Sequence, residues 1–163
     1  MPTLISRAEA IERIRAERGP APCLMCAIVE RKVGAVYALH EDEEHLVSLP
    51  VYVRRWGQIL VTPKAHVTSF TEVDAGSWAR ANGLALRAAR VVEGVRRPRR
   101  IYLASTGSSA GELVNCSVHL HIHVIPLYEP DDKPGDIFSW QEGIYVAEPE
   151  EWEALRQAYL AAW

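Results

Sequence analysis

Three of the six histidines of this chain stand at alternate positions, in His119-Leu120-His121-Ile122-His123-Val124-Ile125-Pro126. Alternation is the period of a β-strand, in which side chains i, i+2 and i+4 share one face. The pattern predicts a strand that lays Leu120, Ile122 and Val124 into a core. His119, His121 and His123 then line the opposite face, each about 6.5–7 Å from the next. Imidazoles in a row support two chemistries. One ring attacks phosphorus as a nucleophile while its neighbours donate hydrogen bonds to phosphate oxygens. Alternatively, the row binds a metal through its ring nitrogens. Spacing alone does not separate nucleophile from ligand. The bland alternative is three part-exposed histidines on an ordinary strand.

A second group is Cys23-Leu24-Met25-Cys26. A C-x-x-C turn directs two thiolates at a common point, which suits one metal ion with two further ligands. A redox pair, or two small buried hydrophobes, are the alternatives. Cys116, beside the histidines, is read as a packed thiol or one that faces the site. The loop Gly107-Ser108-Ser109-Ala110-Gly111 either offers backbone N–H groups to a phosphate or is a plain flexible turn. Arg54-Arg55-Trp56 reads equally as a phosphate and base contact or as a surface patch at a strand end. His40 and His45 flank the acidic run Glu41–Glu44 and read as a solvated hairpin turn.

The elements that must position these groups follow from periodicity and punctuation. Ser6-Arg7-Ala8-Glu9 has the form of a capping box, and Ala8, Ile11 and Ile14 recur at helical spacing, so a helix is expected over 6–17. Cys23–Glu30 is a short turn and the start of another element. Strands are expected at Val33–Leu39, His45–Leu49, Gln58–Val61, Ile101–Ala104, Val118–Tyr128 and Ile144–Val146. A long helix is expected over 75–95 and a C-terminal one over 148–163, with Trp152, Leu155 and Tyr159 on one stripe. Ser105–Glu112 and Glu129–Gly135 read as loops. Strands in runs around one long helix predict an α+β fold with a mostly antiparallel sheet.

Bulk properties narrow the function classes. The chain has 163 residues, the usual size of one domain, with 48% hydrophobic and 24% charged residues. A formal charge of −3 provides no basic field for nucleic acid. The basic run Arg96-Arg97-Pro98-Arg99-Arg100 reads as a solvated turn between helix and strand. No apolar run approaches the ~20 residues that span a membrane, and the N-terminus is a charged amphipathic segment rather than a signal peptide. The cytoplasm is the expected compartment. Three cysteines argue against a disulfide scaffold.

His119–Ile125 matches His-φ-His-φ-His-φ-φ, with φ apolar, and so resembles the motif of the histidine triad (HIT) family. Cys23–Glu30 resembles the N-terminal C-x-x-C segment of many bacterial members. Gly57-Gln58-Ile59-Leu60-Val61-Thr62-Pro63-Lys64-Ala65-His66 resembles the family's strand ending in Pro-Lys-x-His. These stretches cover about residues 23–128 of a single expected domain over 1–163. The N-terminal helix (1–19) and the extension 129–163 lie outside the clear match.

The resemblance implies an α+β HIT-like fold, a homodimer, and a nucleotide hydrolase working through a nucleotidyl-histidine intermediate. The substrate class implied is a nucleoside phosphoanhydride or phosphoramidate, including dinucleoside polyphosphates. His121 would be the nucleophile. His123 would hold the phosphate or pass a proton to the leaving group, and His119 would orient the row or bind metal. Asn115, where members commonly have Gln, and Ser117, Gln58 and Ser105 are substrate-binding candidates. The zinc-containing bacterial members further imply a structural Zn2+ on Cys23, Cys26, His66 and His119. That would withdraw His119 from acid/base work.

This chain has Pro50 where many members have Asp for the ribose, Gln58 where many have His, and Ser105 where many have Asn. The nucleophile strand is intact, but the substrate shell is not standard. Trp163 is a minor pocket candidate, with Trp152 and Tyr159 expected in core or dimer packing. Three other functions are consistent with the sequence: a nucleotidyl transferase or phosphorylase, a non-enzymatic nucleotide-binding module, and a three-histidine catalytic metal site.

Overall fold

Two sheets carry the site. The computed structural model describes residues 1–106 and 118–163. In chain order the elements are β1 (Thr3–Ile5), α1 (Arg7–Arg18), α2 (Leu24–Val29), β2 (Tyr37–Glu41), β3 (His45–Leu49) and β4 (Ile59–Pro63). There follow α3 (Ala75–Arg96), β5 (Arg100–Ala104), β6 (Ile122–Leu127), α4 (Pro134–Ser139), β7 (Ile144–Val146) and α5 (Pro149–Leu160). The larger sheet has the order β2-β3-β4-β6-β5, and all its pairs are antiparallel. This is an α+β fold.

The central strands are buried on both faces. Val47, Leu49, Ile59, Val61, Ile122 and Val124 form one face, which packs with Ala81, Ala85, Ala88, Val91 and Val92 of α3. The Ala and Val positions recur every three or four residues, so small side chains form one stripe and the helix lies close to the sheet. Asp74 caps α3 by accepting from the Ser77 N–H at 2.7 Å. Trp152, Leu155 and Tyr159 of α5 complete this core. Each large side chain taken from water there contributes about 1.5–3 kcal/mol. The opposite face carries Leu60, which packs with Cys23 and Met25 of the α2 segment.

The second sheet is small but consequential. β1 pairs β7, with Leu4 opposite Tyr145. Tyr145 also exchanges backbone hydrogen bonds with Val53, at 3.1 and 2.8 Å. Both chain ends are thereby tied to the β3–β4 connection that carries Arg54. Ile5, Ala10, Ile14, Trp140 and Ile144 pack together behind this tie.

Several expectations need correcting. β1 and α4 lie where no element was expected; three-residue strands and a six-residue helix are too short for periodicity to register. β2 begins at Tyr37 rather than Val33. In α1 the buried residues are Ala10 and Ile14, while Ala8 is exposed. The histidine strand begins at Ile122, not Val118. The Leu120 N–H bonds the Val67 carbonyl at 2.7 Å, which draws the preceding residues out of the sheet. His45 is fully buried, with Nε2 3.5 Å from the Ser77 hydroxyl, so the hairpin is not solvated there. Burial follows because β3 is an inner strand under α3. Among the described residues no helix is long and apolar enough to cross a membrane.

Candidate active site and metal centre

The register of β6 puts His123 opposite Leu60 and Ala104, on the face away from α3. His121 immediately precedes the strand. Its Nδ1 lies 2.8 Å from the His119 carbonyl. A carbonyl only accepts, so Nδ1 carries the proton and Nε2 is left with a lone pair. That Nε2 is 3.1 Å from Nε2 of His123, which must therefore donate. Nδ1 of His123 is then an acceptor, and two donors meet it: the Gln58 amide at 3.1 Å and Arg54 Nη1 at 3.3 Å. One proton assignment satisfies every contact. The two rings stand edge to face with centroids 4.6 Å apart, closer than a flat row would allow.

Electrostatics agree with neutral rings. Burial pushes His121 down from 6.5 to about 4, opposed by its bond to the His119 carbonyl and aided by the nearby Arg54 cation. Burial, then Arg54, holds His123 well below its ordinary value. Burial also lowers Arg54, to about 10, which leaves it charged at neutral pH.

Gln58 is clamped rather than loose. Its Oε1 accepts from the Arg54 backbone N–H at 3.1 Å, and only 1% of the residue is exposed. Gly57 before it has φ +95°, and its carbonyl accepts from the Tyr159 hydroxyl at 2.8 Å. Arg54 lies over the rings of Phe138 and Trp140, with its guanidinium carbon 5.7 and 5.5 Å from their centroids. Arg55 instead pairs with Asp132 and, at 2.5 Å, with Glu142. Trp56 packs at a tilt against Trp152, with ring centroids 4.4 Å apart. The three residues read from sequence as one patch thus do three different things.

A cleft of about 130 Å3 opens beside the pair, lined by His121, His123, Arg54, Gln58, Pro50 and Trp140 among others. Ser105 is not among its lining residues; its hydroxyl is buried without a hydrogen-bond partner among the described residues. Asn115, Ser117, Cys116 and the 107–111 loop lie outside the described residues. Trp163 stands elsewhere, against His40 at 5.7 Å and under Arg87 at 4.7 Å. Sequence reasoning missed Tyr52 and Trp140 as lining residues, and left Arg54 undecided. The available signal was a paired arginine in an otherwise apolar connection.

His119 faces the other way. Its ring is fully buried, and Nε2 is 2.8 Å from the Pro63 carbonyl, so Nε2 carries the proton. The bare Nδ1 lies 3.6 Å from Cys23 Sγ and 3.4 Å from Cys26 Sγ, and Cys26 Sγ is 3.1 Å from His66 Nδ1. All four ligand atoms fall within 4.8 Å of one another. A tetrahedral zinc ion with Zn–S about 2.3 Å and Zn–N about 2.0–2.1 Å needs ligand separations of about 3.3–3.8 Å. The donor set and spacing fit such an ion, and the Pro63 contact fixes the tautomer a ligating histidine requires. Burial, together with the Cys23 thiol, raises Cys26 to about 11 in the metal-free cluster.

Comparison with known proteins agrees with this geometry. The HIT domain matches residues 36–130, more than half of the chain, and the chain belongs to that family. An uncharacterised HIT-like protein of Mycoplasma genitalium is 29% identical over 108 residues, 66% of this chain and 74% of that protein. A hypothetical histidine triad nucleotide-binding protein of Sulfolobus tokodaii superposes with TM-score 0.68 at 28% identity, covering 86% of this chain and 91% of that one. A zinc-bound histidine triad family protein of Mycobacterium smegmatis superposes with TM-score 0.67 at 23% identity, covering 88% and 94%.

Proposed function

We propose that this chain is a nucleotidyl hydrolase of the histidine triad type, acting on a nucleoside phosphoanhydride or phosphoramidate. One observation carries the reading: His121 presents an unprotonated Nε2 beside the Nε2–H of His123, and both rings line a cleft. A neutral imidazole is a good nucleophile toward phosphorus, and the phosphoramidate it forms is labile to water. His121 Nε2 attacks the α-phosphorus. His123, released from His121, turns its N–H onto the phosphoryl oxygens and offsets the charge that develops there. The His119 carbonyl holds the nucleophile's tautomer, as a positioning group. Gln58 holds His123.

The structural Zn2+ belongs to the same proposal. Cys23, Cys26, His66 and His119 would hold it, and it would clip the α2 segment to the start of the histidine strand. With four protein ligands it leaves no open position for substrate. The zinc-bound relative from Mycobacterium smegmatis supports the choice of metal. A homodimer is proposed along β5, an edge strand with Leu103 exposed. Light scattering should give twice the chain mass, and Leu103→Asp should give a single one.

The test is product analysis. Wild type and His121→Ala are incubated with a diadenosine polyphosphate, ADP and an adenosine phosphoramidate. AMP released by wild type alone is expected; AMP from both proteins overturns the mechanism. An acceptor other than water appearing in the product would assign the transferase branch.

A further inference from the structure

We propose that Arg54 anchors the leaving phosphoryl group, so that the substrate is a nucleoside phosphoanhydride rather than a phosphoramidate. This rests on the reading of His121 as nucleophile.

The first observation is a cation without a counter-charge. Among the described residues no carboxylate pairs with Arg54, and its Nε is buried without an acceptor. The neighbouring Arg55 has two carboxylates. A guanidinium taken from water with no anion is costly, and the cost is recovered when an anion arrives. Arg54 lines the cleft that His121 and His123 also line. Its neutral neighbour Trp140 buries an indole N–H that likewise has no partner among the described residues. Glu17, the acidic residue on the lining, is hydrogen-bonded to the Tyr52 hydroxyl. The cleft therefore holds donors in excess, and a group with several acceptor oxygens and negative charge satisfies them.

The second observation concerns the leaving group. Nδ1 of His123 already accepts from Gln58 and Arg54, so this ring cannot also carry a proton there. A neutral imidazole N–H is a weak acid. A phosphoramidate releases an amine that must take up a proton as the P–N bond breaks. A phosphoanhydride releases a phosphate that needs only its charge neutralised, and Arg54 is placed to do so.

The step balances without a further reactant. His121 Nε2 forms a bond to the α-phosphorus. The bridging P–O bond breaks, and its electron pair stays on the leaving phosphate, which rests on the Arg54 guanidinium. Water then attacks the same phosphorus. The N–P bond breaks with its pair returning to Nε2, and the proton from water goes to solvent.

The test compares kcat/KM for a diadenosine polyphosphate and an adenosine phosphoramidate in wild type, Arg54→Met and Arg54→Lys. The anhydride is expected to be preferred. Arg54→Met should reduce that preference about 100-fold, with partial recovery in Arg54→Lys, which also serves as the folded control if the methionine protein is unstable. A wild-type preference for the phosphoramidate, or an unchanged ratio in Arg54→Met, overturns the inference and leaves the nucleophile assignment standing. A second arm titrates AMP and ADP calorimetrically into His121→Ala, which cannot turn them over. ADP should bind at least tenfold more tightly than AMP, and adding Arg54→Met should erase the difference; equal affinities in the parent overturn the inference. Turnover of neither substrate by wild type would instead sink the hydrolase reading, and the titration would still decide Arg54.

Discussion

Nε2 of His121 and Nε2 of His123 lie 3.1 Å apart, and one donates to the other. The direction of that bond is set at its far ends, by a carbonyl beneath His121 and two donors beneath His123. Removing the carbonyl's partner removes the proposed nucleophile: His121→Ala should lower turnover at least about 1,000-fold, and the thermal midpoint should move by only a few degrees. Loss of the cooperative melt would contradict that assignment.

Gln58→Ala should act through His123. With one of its two donors gone, His123 is free to change tautomer, and turnover should fall about 10- to 100-fold with little change in KM. A purely structural role would lower stability and leave kcat intact.

The folded state should weaken in mild acid. His123 is depressed below 6.5, by burial first and then by Arg54. An unfolded chain therefore binds a proton that the folded chain does not. Stability is full above about pH 6.5 and falls as pH drops below it. Denaturation midpoints at pH 7.5 and 5.0 should differ in that direction, and His123→Gln should narrow the difference. Equal narrowing absent from that variant would assign the effect to other groups.

Metal content should track the cysteines and not the His121–His123 pair. Cys26→Ser should lose bound zinc and melt lower, while His121→Ala should keep about one equivalent by elemental analysis. Because Cys26 stands near 11 without an ion, its thiol is protonated at neutral pH, and metal binding must release protons. Calorimetry in buffers of different ionisation enthalpy should report that release.

Asp132 holds the arginine connection from the C-terminal side. It pairs with Arg55 and accepts from the Tyr128 and Glu129 N–H groups, both at 3.1 Å. Asp132→Ala should cost about 1–3 kcal/mol in urea unfolding, because the part-buried Arg55 loses one of its two carboxylates and the Tyr128 and Glu129 N–H groups lose their acceptor. Glu142→Ala, on the exposed side of the same guanidinium, should cost under about 1 kcal/mol.

Much of this molecule was legible in its residues. The alternating histidines announced a strand, because period 2 is a local property, although the strand itself begins only at Ile122. The five expected strands of the larger sheet and the long helix occur near their expected positions, since each runs five residues or more with clear punctuation. Cys23 and Cys26 could be seen as two thiols aimed at a common point, because the C-x-x-C turn is local, and they do converge with His66 and His119.

What only the tertiary structure decided is which way the groups face. His119 and His121 are separated by one residue, yet one ring turns to the cysteines and the other to the cleft. The reason is not in the strand period: Val67 captures the Leu120 N–H and bends the chain just before the sheet begins. Arg54 and Arg55 are adjacent and chemically identical, yet one is neutralised by Asp132 and the other is not. That difference arises from a carboxylate 77 positions away from Arg55 in the chain and from a β1–β7–Val53 tie that joins both ends. Local sequence specifies residue chemistry and backbone period; long-range packing alone specifies which charges find partners.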